Sequence, residues 1–271
     1  MRRETHDGVA GYRFETLDSA GLDVVVTTRL GGTSVAPYES LNLGLRVGDD
    51  PGAVAENRRR AFAAFDLDLV RSVWCRQVHA DKVVVVGEED AGRGALGEED
   101  IVADADALVT DSVGLVLCVT LADCVPVVLH DARRRVLGLA HAGWGGTVSR
   151  IASQTVEVMR RHFDVDANDL TAAIGPSIGP ARYEVGEEVL VRARERFGAD
   201  VVSFSRSLPQ EGKALFDLWT ANRIDLESAG VPASQIEVAA ISTDEHLDDF
   251  YSHRVEGKTG RFIAAAALRP H

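Results

Sequence analysis

The sequence predicts an α/β (α+β) fold: a single layered domain with mixed β-sheets flanked by helices. Three observations carry this. Short β-branched runs alternate with segments of helical periodicity; several strands come in consecutive pairs rather than singly between helices; and no Pro/Ser-rich linker or 20–50-residue repeat divides the chain. Strand pairs favour mixed sheets over an all-parallel arrangement. The 271 residues, 45% hydrophobic and 26% charged, suit one domain spanning 1–271.

Leu22 to Thr28 reads as a β-branched strand running into the glycine turn Gly31-Gly32. Asp50-Pro51 opens a helix, because Pro51 is tolerated in the first turn, and Val54, Ala61, Phe62 and Phe65 fall on one face of it. Val83 to Val86 and Gly114 to Thr120 read as buried strands. Val125 to His130 and Val136 to Ala140 form a further pair across the charged turn Asp131 to Arg135. Thr147 is a helix cap, followed at helical spacing by Val148, Ile151, Ala152, Thr155, Val156 and Met159. Glu187 to Phe197 and Phe216 to Ala229 are helices, the second stopped by Gly230. Ile236 to Ile241 and Phe262 to Ala267 carry late β or short helical signals.

The segment Gly87 to Asp111 holds nine acidic residues and three further glycines, and reads as a solvated acidic loop. The net charge of −13 argues against a nucleic-acid partner, since a polyphosphate would be repelled. Three cysteines suggest free thiols in a reducing compartment. The N-terminal Arg2-Arg3 is followed by no apolar stretch, and no run reaches the ~18 apolar residues of a membrane span. A cytoplasmic protein without a membrane partner is expected.

Chemistry concentrates at a few positions. Cys118, amid Leu115, Val116, Leu117 and Val119, is a core filler. Cys124 follows Asp123 between two apolar runs. His141 ends a strand in Ala140-His141-Ala142-Gly143-Trp144-Gly145-Gly146, where glycines allow close approach. The 17 residues separating Cys124 from His141 match one β-excursion out and back, which would set the two side by side. His79 lies 45 residues before Cys124. From these residue types, three readings stand open: a zinc site with two histidines and one cysteine, a cysteine–histidine nucleophilic pair, or unrelated core and surface residues.

The ordered motifs add a resemblance. Thr27-Thr28-Arg29-Leu30-Gly31-Gly32-Thr33-Ser34, Pro37-Tyr38-Glu39-Ser40-Leu41-Asn42-Leu43-Gly44, Val47-Gly48-Asp49-Asp50-Pro51 and Glu56-Asn57-Arg58 open the series. Gln77-Val78-His79, Asp104-Ala105-Asp106-Ala107, Ala122-Asp123-Cys124-Val125-Pro126 and His141-Ala142-Gly143-Trp144 continue it. Ile174 to Pro180, Tyr183 to Gly186, Asp217-Leu218-Trp219, Asn222-Arg223 and Tyr251-Ser252-His253-Arg254 complete it. Across residues 24–268 the chain resembles the YfiH/YlmD-type family, long labelled laccase-like or polyphenol oxidase domains.

The resemblance implies a zinc site from His79, Cys124 and His141. It also implies activity on purine nucleosides: phosphorolysis of adenosine, inosine or methylthioadenosine, and deamination of adenosine. The expected small-molecule partners are therefore purine nucleosides and phosphate; the oligomeric state is left unassigned. Two departures from the family pattern are visible. Ser177, Ala181 and Arg182, and again Ser242, stand where cysteines are frequent, which weakens mechanisms needing a second thiol or a multicopper site.

Asp123 is the candidate to orient a ligand or move a proton, with capping of backbone groups as its plain alternative. Asn42, Arg58 and Gln77 are candidates to hold base, phosphate or ribose. Asn222 reads as a buried hydrogen-bonding group. His253-Arg254 would close over the pocket or serve a dimer contact. His130, His162 and His246 are expected on surfaces. The rival classes are a laccase-like copper oxidase, a metal-free hydrolase using Cys124 and His141, and a zinc-stabilised binding protein without catalysis.

Overall fold

The computed structural model describes residues 1–270. Two six-stranded sheets stack face to face. In spatial order the first is Arg2–His6, Val9–Arg13, Leu22–Thr27, Phe262–Leu268, Val116–Leu121 and Ser72–Trp74. The second is Ile236–Val238, Leu170–Ile174, Val125–Asp131, Val136–Ala142, Ala107–Thr110 and Val83–Val85. Both mix antiparallel and parallel pairs. A small third sheet joins Glu184–Val185, Ala214–Phe216 and Ser205–Ser207.

Alternation along each strand explains the layering. Val24, Val26, Leu117 and Val119 meet Leu108, Val128, Leu137 and Leu139 between the sheets. The intervening residues face outward into two further cores. Val125, Val127, Leu129 and Ala140 pack against Ile151, Val156 and Met159 of the helix Ile151–Phe163. Val25, Val116, Ile263 and Ala265 pack against Ala61 and Phe62 of the helix Pro51–Ala64. Strands buried on both faces read as continuous apolar runs, which is why these segments were legible in the sequence.

Several expectations are met closely. Asp50 caps the helix Pro51–Ala64 by accepting the Ala53 N–H at 2.8 Å. Val125–Asp131 and Val136–Ala142 pair antiparallel, and Glu187–Phe197 is a helix. Others change. The N-terminal hairpin Arg2–His6/Val9–Arg13 carries no apolar signal in its polar first strand; Asp7 and Gly8 turn it with positive φ angles of 50° and 83°. Thr147 does not cap the long helix. It lies inside the short helix Trp144–Val148, and Arg150, at φ 63°, starts Ile151–Phe163 with its Nε on Asp225 at 2.7 Å. Phe216 ends a strand, and the following helix begins at Leu218 under an Asp217 cap. Among the described residues no helix is long and apolar enough to cross a membrane.

Candidate metal centre

Three chain segments meet where the two large sheets approach each other. Val116–Leu121 belongs to the first sheet and Val125–Asp131 to the second, so the chain changes sheet at Ala122-Asp123-Cys124. Asp123 takes φ 84° at this corner. The register then pairs Pro126 with His141 and Val125 with Ala142, which sets Cys124 at the sheet end beside His141. His79 arrives from the turn after Ser72–Trp74, itself at φ 59°.

Cys124 Sγ lies 3.9 Å from His79 Nε2, and the rings of His79 and His141 stand edge-to-face at 4.8 Å between centroids. The three donor atoms all fall within 4.8 Å of one another. Metal bonds of ~2.0–2.3 Å about a tetrahedral ion separate donors by roughly 3.3–3.8 Å, so a shift of about 1 Å closes this set on an ion. Two glycines make the approach possible. A Cβ on Gly143 would sit 2.8 Å from Cys124 Sγ, and one on Gly145 would sit 2.5 Å from the His79 carbonyl oxygen.

Asp106 assembles the cluster. Its Oδ1 accepts the His79 N–H at 3.0 Å and His141 Nδ1 at 2.9 Å; its Oδ2 accepts the Ala80 and Val78 N–H groups at 2.9 and 3.2 Å. Its own carbonyl takes the His141 N–H at 2.7 Å. One fully buried carboxylate therefore builds the His79 turn and fixes the His141 ring, leaving the other His141 nitrogen to the thiol. A ligand histidine tied to a carboxylate in this way is the usual support of a protein metal site.

The electrostatics follow from these contacts. Burial would raise the Asp106 carboxyl, but His141 and the Ala80 and Val78 amides hold it below its ordinary value. Burial likewise opposes charge on Cys124, yet His141 and His79 outweigh it and bring the thiol down to about 6. Burial disfavours charge on His141 as well, but Cys124 and Asp106 lift it to about 9. Cys124 and His141 thus favour each other's charged forms, and with His79 they are the one group among the described residues that could hold a metal ion.

The cluster lies on a cavity of about 610 Å³. Asp123 lines it, but both its oxygens are occupied: Oδ1 accepts Thr243 Oγ1 at 2.8 Å and Oδ2 the Arg254 N–H at 2.7 Å. Burial raises its pKa despite these bonds. Gln77 also lines the cavity, with its amide paired to Thr120 through Nε2 at 2.9 Å and Oε1 at 2.8 Å. Arg58 forms part of the same wall. Its Nε donates to Leu43 O, its Nη1 to Gly94 O and Ala95 O, and its guanidinium covers the Trp74 ring at 3.6 Å. Asn42 does not line the cavity. Its Nδ2 reaches Gly44 O and Asp49 Oδ2, and its Oδ1 accepts the N–H groups of Gly44 and Arg261. His253 and Arg254 stand on the cavity wall, and Asn222 is buried with its Nδ2 on Thr147 Oγ1 and Leu218 O.

Two readings need correction. Gly87 to Asp111 is not wholly a solvated loop: Ala107–Thr110 is a buried strand and Asp106 is 0% exposed. The sequence signal was the Asp-Ala-Asp-Ala step into the apolar run Ala107-Leu108-Val109, which the surrounding acidic residues obscured. His130 is buried at 3% exposure rather than on the surface, whereas His162 and His246 are exposed. Arg261, on the cavity wall, was also missed, because nothing in its local sequence separates it from other surface arginines.

Residues 23–269 match the sequence model of a family described as multi-copper polyphenol oxidoreductase laccase. Over 252 residues the chain is 38% identical to the purine nucleoside phosphorylase YlmD of Geobacillus stearothermophilus, covering 92% of this chain and 91% of that one. It is 37% identical over 252 residues to the adenosine deaminase RL5 of an unknown prokaryotic organism, covering 91% and 95% of the two chains. The crystal structure of YlmD from Geobacillus stearothermophilus superposes with a TM-score of 0.93 at 36% identity over 98% of both chains. That of Bacillus licheniformis YfiH gives 0.92 at 33% identity over 97% of both.

Proposed function

We propose that this chain, which belongs to the multi-copper polyphenol oxidoreductase laccase family, is a zinc-dependent enzyme of purine nucleosides. The reactions are phosphorolysis of adenosine, inosine or methylthioadenosine and deamination of adenosine, carried out by one catalytic domain spanning 1–271. The observation that carries the reading is the convergence of His79, Cys124 and His141, braced by Asp106, on a cavity of about 610 Å³. That volume lies within the ~300–1,000 Å³ of small-ligand sites. The names of the relatives, purine nucleoside phosphorylase and adenosine deaminase, supply the substrate class.

His79 Nε2, Cys124 Sγ and the free nitrogen of His141 would hold the ion. Once bound, it would supply Lewis acidity to water or phosphate. Both proposed reactions are redox-neutral, which favours zinc over the copper of the family's description. Asp106 orients His141 and the His79 turn. Asp123 holds Arg254 and Thr243 at the cavity edge. Gln77 holds the Thr120 edge, and Arg58 closes the wall beneath Trp74. The free thiols Cys75, Cys118 and Cys124 suit a reducing, cytoplasmic setting.

The test incubates the purified chain with adenosine, with and without phosphate, and separates adenine, inosine and hypoxanthine by chromatography. Inosine in both buffers, and adenine with phosphate only, is the expected result. Neither product, from protein carrying its metal, would overturn the reading.

A further inference from the structure

The chain is strongly acidic, at −13, yet four arginines line the metal-site cavity. Two of them are accounted for. Arg46 pairs with Glu98 at 3.7 Å, and Arg58 is 2% exposed and bonded to three backbone carbonyls. Among the described residues Arg254 and Arg261 have no carboxylate within ion-pair distance. Arg254 lies over the Tyr183 ring at 4.8 Å with Nη1 on Glu184 O.

Arg261 is built into place rather than left loose. Asn42 Oδ1 accepts its backbone N–H at 2.8 Å, and its Nη1 donates to the carbonyls of Thr259 and Gly260 at 3.0 and 2.8 Å. Gly44 makes room for its stem, since a Cβ there would meet Arg261 Cγ at 2.8 Å. Gly260 lies against the Tyr251 ring, where a Cβ would approach within 2.6 Å. Burial holds the Arg261 guanidinium below its ordinary range, opposed by the charges of Cys124 and Asp123. Arg58, by contrast, feels Cys118 and Glu98. Of the two, Arg261 is the one in the field of the metal-site corner. A half-buried guanidinium without a carboxylate, locked by its backbone and lining the metal-site cavity, has the properties of an anion receptor.

We propose that Arg261, supported by Arg254, is the phosphate subsite of this cavity, and that Asn42 acts through Arg261 by holding its backbone. The proposal rests on the phosphorolysis reading. In that reaction a phosphate oxygen forms a bond to ribose C1′ as the C1′–N9 bond breaks. The bonding pair leaves with the purine, which gains the proton that phosphate gives up. The shared ligand chemistry is a phosphoryl dianion, and the subsite takes it as free phosphate rather than as the 5′-phosphate of a nucleotide.

The test uses the purified metal-loaded chain, Arg261→Gln and Arg261→Lys. The Gln variant should raise the KM for phosphate at least tenfold more than it slows ammonia release from adenosine, with Lys intermediate because it keeps charge without the planar fork. Equal loss of both activities, or an unchanged phosphate KM, overturns the subsite. Stronger competition by AMP than by phosphate moves the site to a nucleotide's phosphate and also overturns it. Calorimetric titration of inorganic phosphate without nucleoside separates this proposal from the phosphorolysis reading. If no nucleoside is phosphorolysed but phosphate binds the native chain and not Arg261→Gln, the subsite stands and the reaction falls. If phosphorolysis occurs and Arg261→Gln still binds phosphate normally, the subsite falls and the reaction stands.

Discussion

Replacing Asp106 by asparagine changes one oxygen to an amide nitrogen and little else, so it isolates what the carboxylate does. Each oxygen of Asp106 faces two donors: His79 N–H and His141 Nδ1 on one, Ala80 and Val78 N–H on the other. With its amide nitrogen toward Ala80 and Val78, two N–H groups meet another N–H group; turned the other way, the His79 N–H does, and His141 Nδ1 escapes the same clash only by moving its proton to the nitrogen that faces Cys124. Hydrogen bonds to a charged acceptor contribute ~1.5–3 kcal/mol each, so losing two should destabilise the fold by about 3–6 kcal/mol. Total stability of ~5–15 kcal/mol leaves room for a folded variant. The loss falls on the turn that carries His79 and on the ring orientation of His141, so metal affinity should fall ~10–100-fold, the range for a ligand's supporting partner. Urea unfolding measures the first quantity, and competition for zinc against a chromogenic chelator measures the second. Zinc affinity within twofold of the native chain would refute the positioning argument. That result would refute it even with the expected loss of stability, because Asp106 would then support the fold alone.

Protein purified without added metal should carry about one zinc per chain; equimolar copper without zinc would revive the oxidase reading. His79→Ala, Cys124→Ala and His141→Ala should each remove most turnover with the fold largely kept, and a fully active Cys124→Ala would exclude it as ligand and as nucleophile. Gly143→Ala places a Cβ 2.8 Å from Cys124 Sγ, so zinc affinity should fall at least tenfold with a small change in Tm; unchanged affinity would show that the thiol has room to move. Burial holds His130 down to about 4, below the ~6.5 of an unfolded histidine, so the unfolded chain binds more protons between those values. Its contribution is thus present above pH ~6.5 and lost as pH falls toward 4, by up to about 3 kcal/mol; His130→Leu should flatten the acid limb of urea stability, and an identical limb would contradict this.

The layered α/β architecture was legible because its signals are local. Val125 to Ala142 runs apolar, turns through Asp131 to Arg135 and runs apolar again within 18 residues, and the 17-residue step from Cys124 to His141 is realised by the Pro126–His141 register. The types of the three potential ligands were also readable, since thiol and imidazole chemistry belongs to the residue itself. The sequence by itself thus determined the layers and the strand pair, and it held the three residues that folding brings within 4.8 Å of one another.

Only the tertiary structure decided which charges face solvent and which are enclosed. Asp106 looked like its acidic neighbours until donors 26 to 35 residues away closed around it. Arg58 looked free until carbonyls 36 and 37 residues away took its Nη1. Asn42 acquired its partner Arg261 from 219 residues along the chain. The sequence does not mark whether a charge will be paired, because pairing depends on groups that folding brings close. The same carboxylate or guanidinium is cheap in water and costly in the interior unless those distant partners are present.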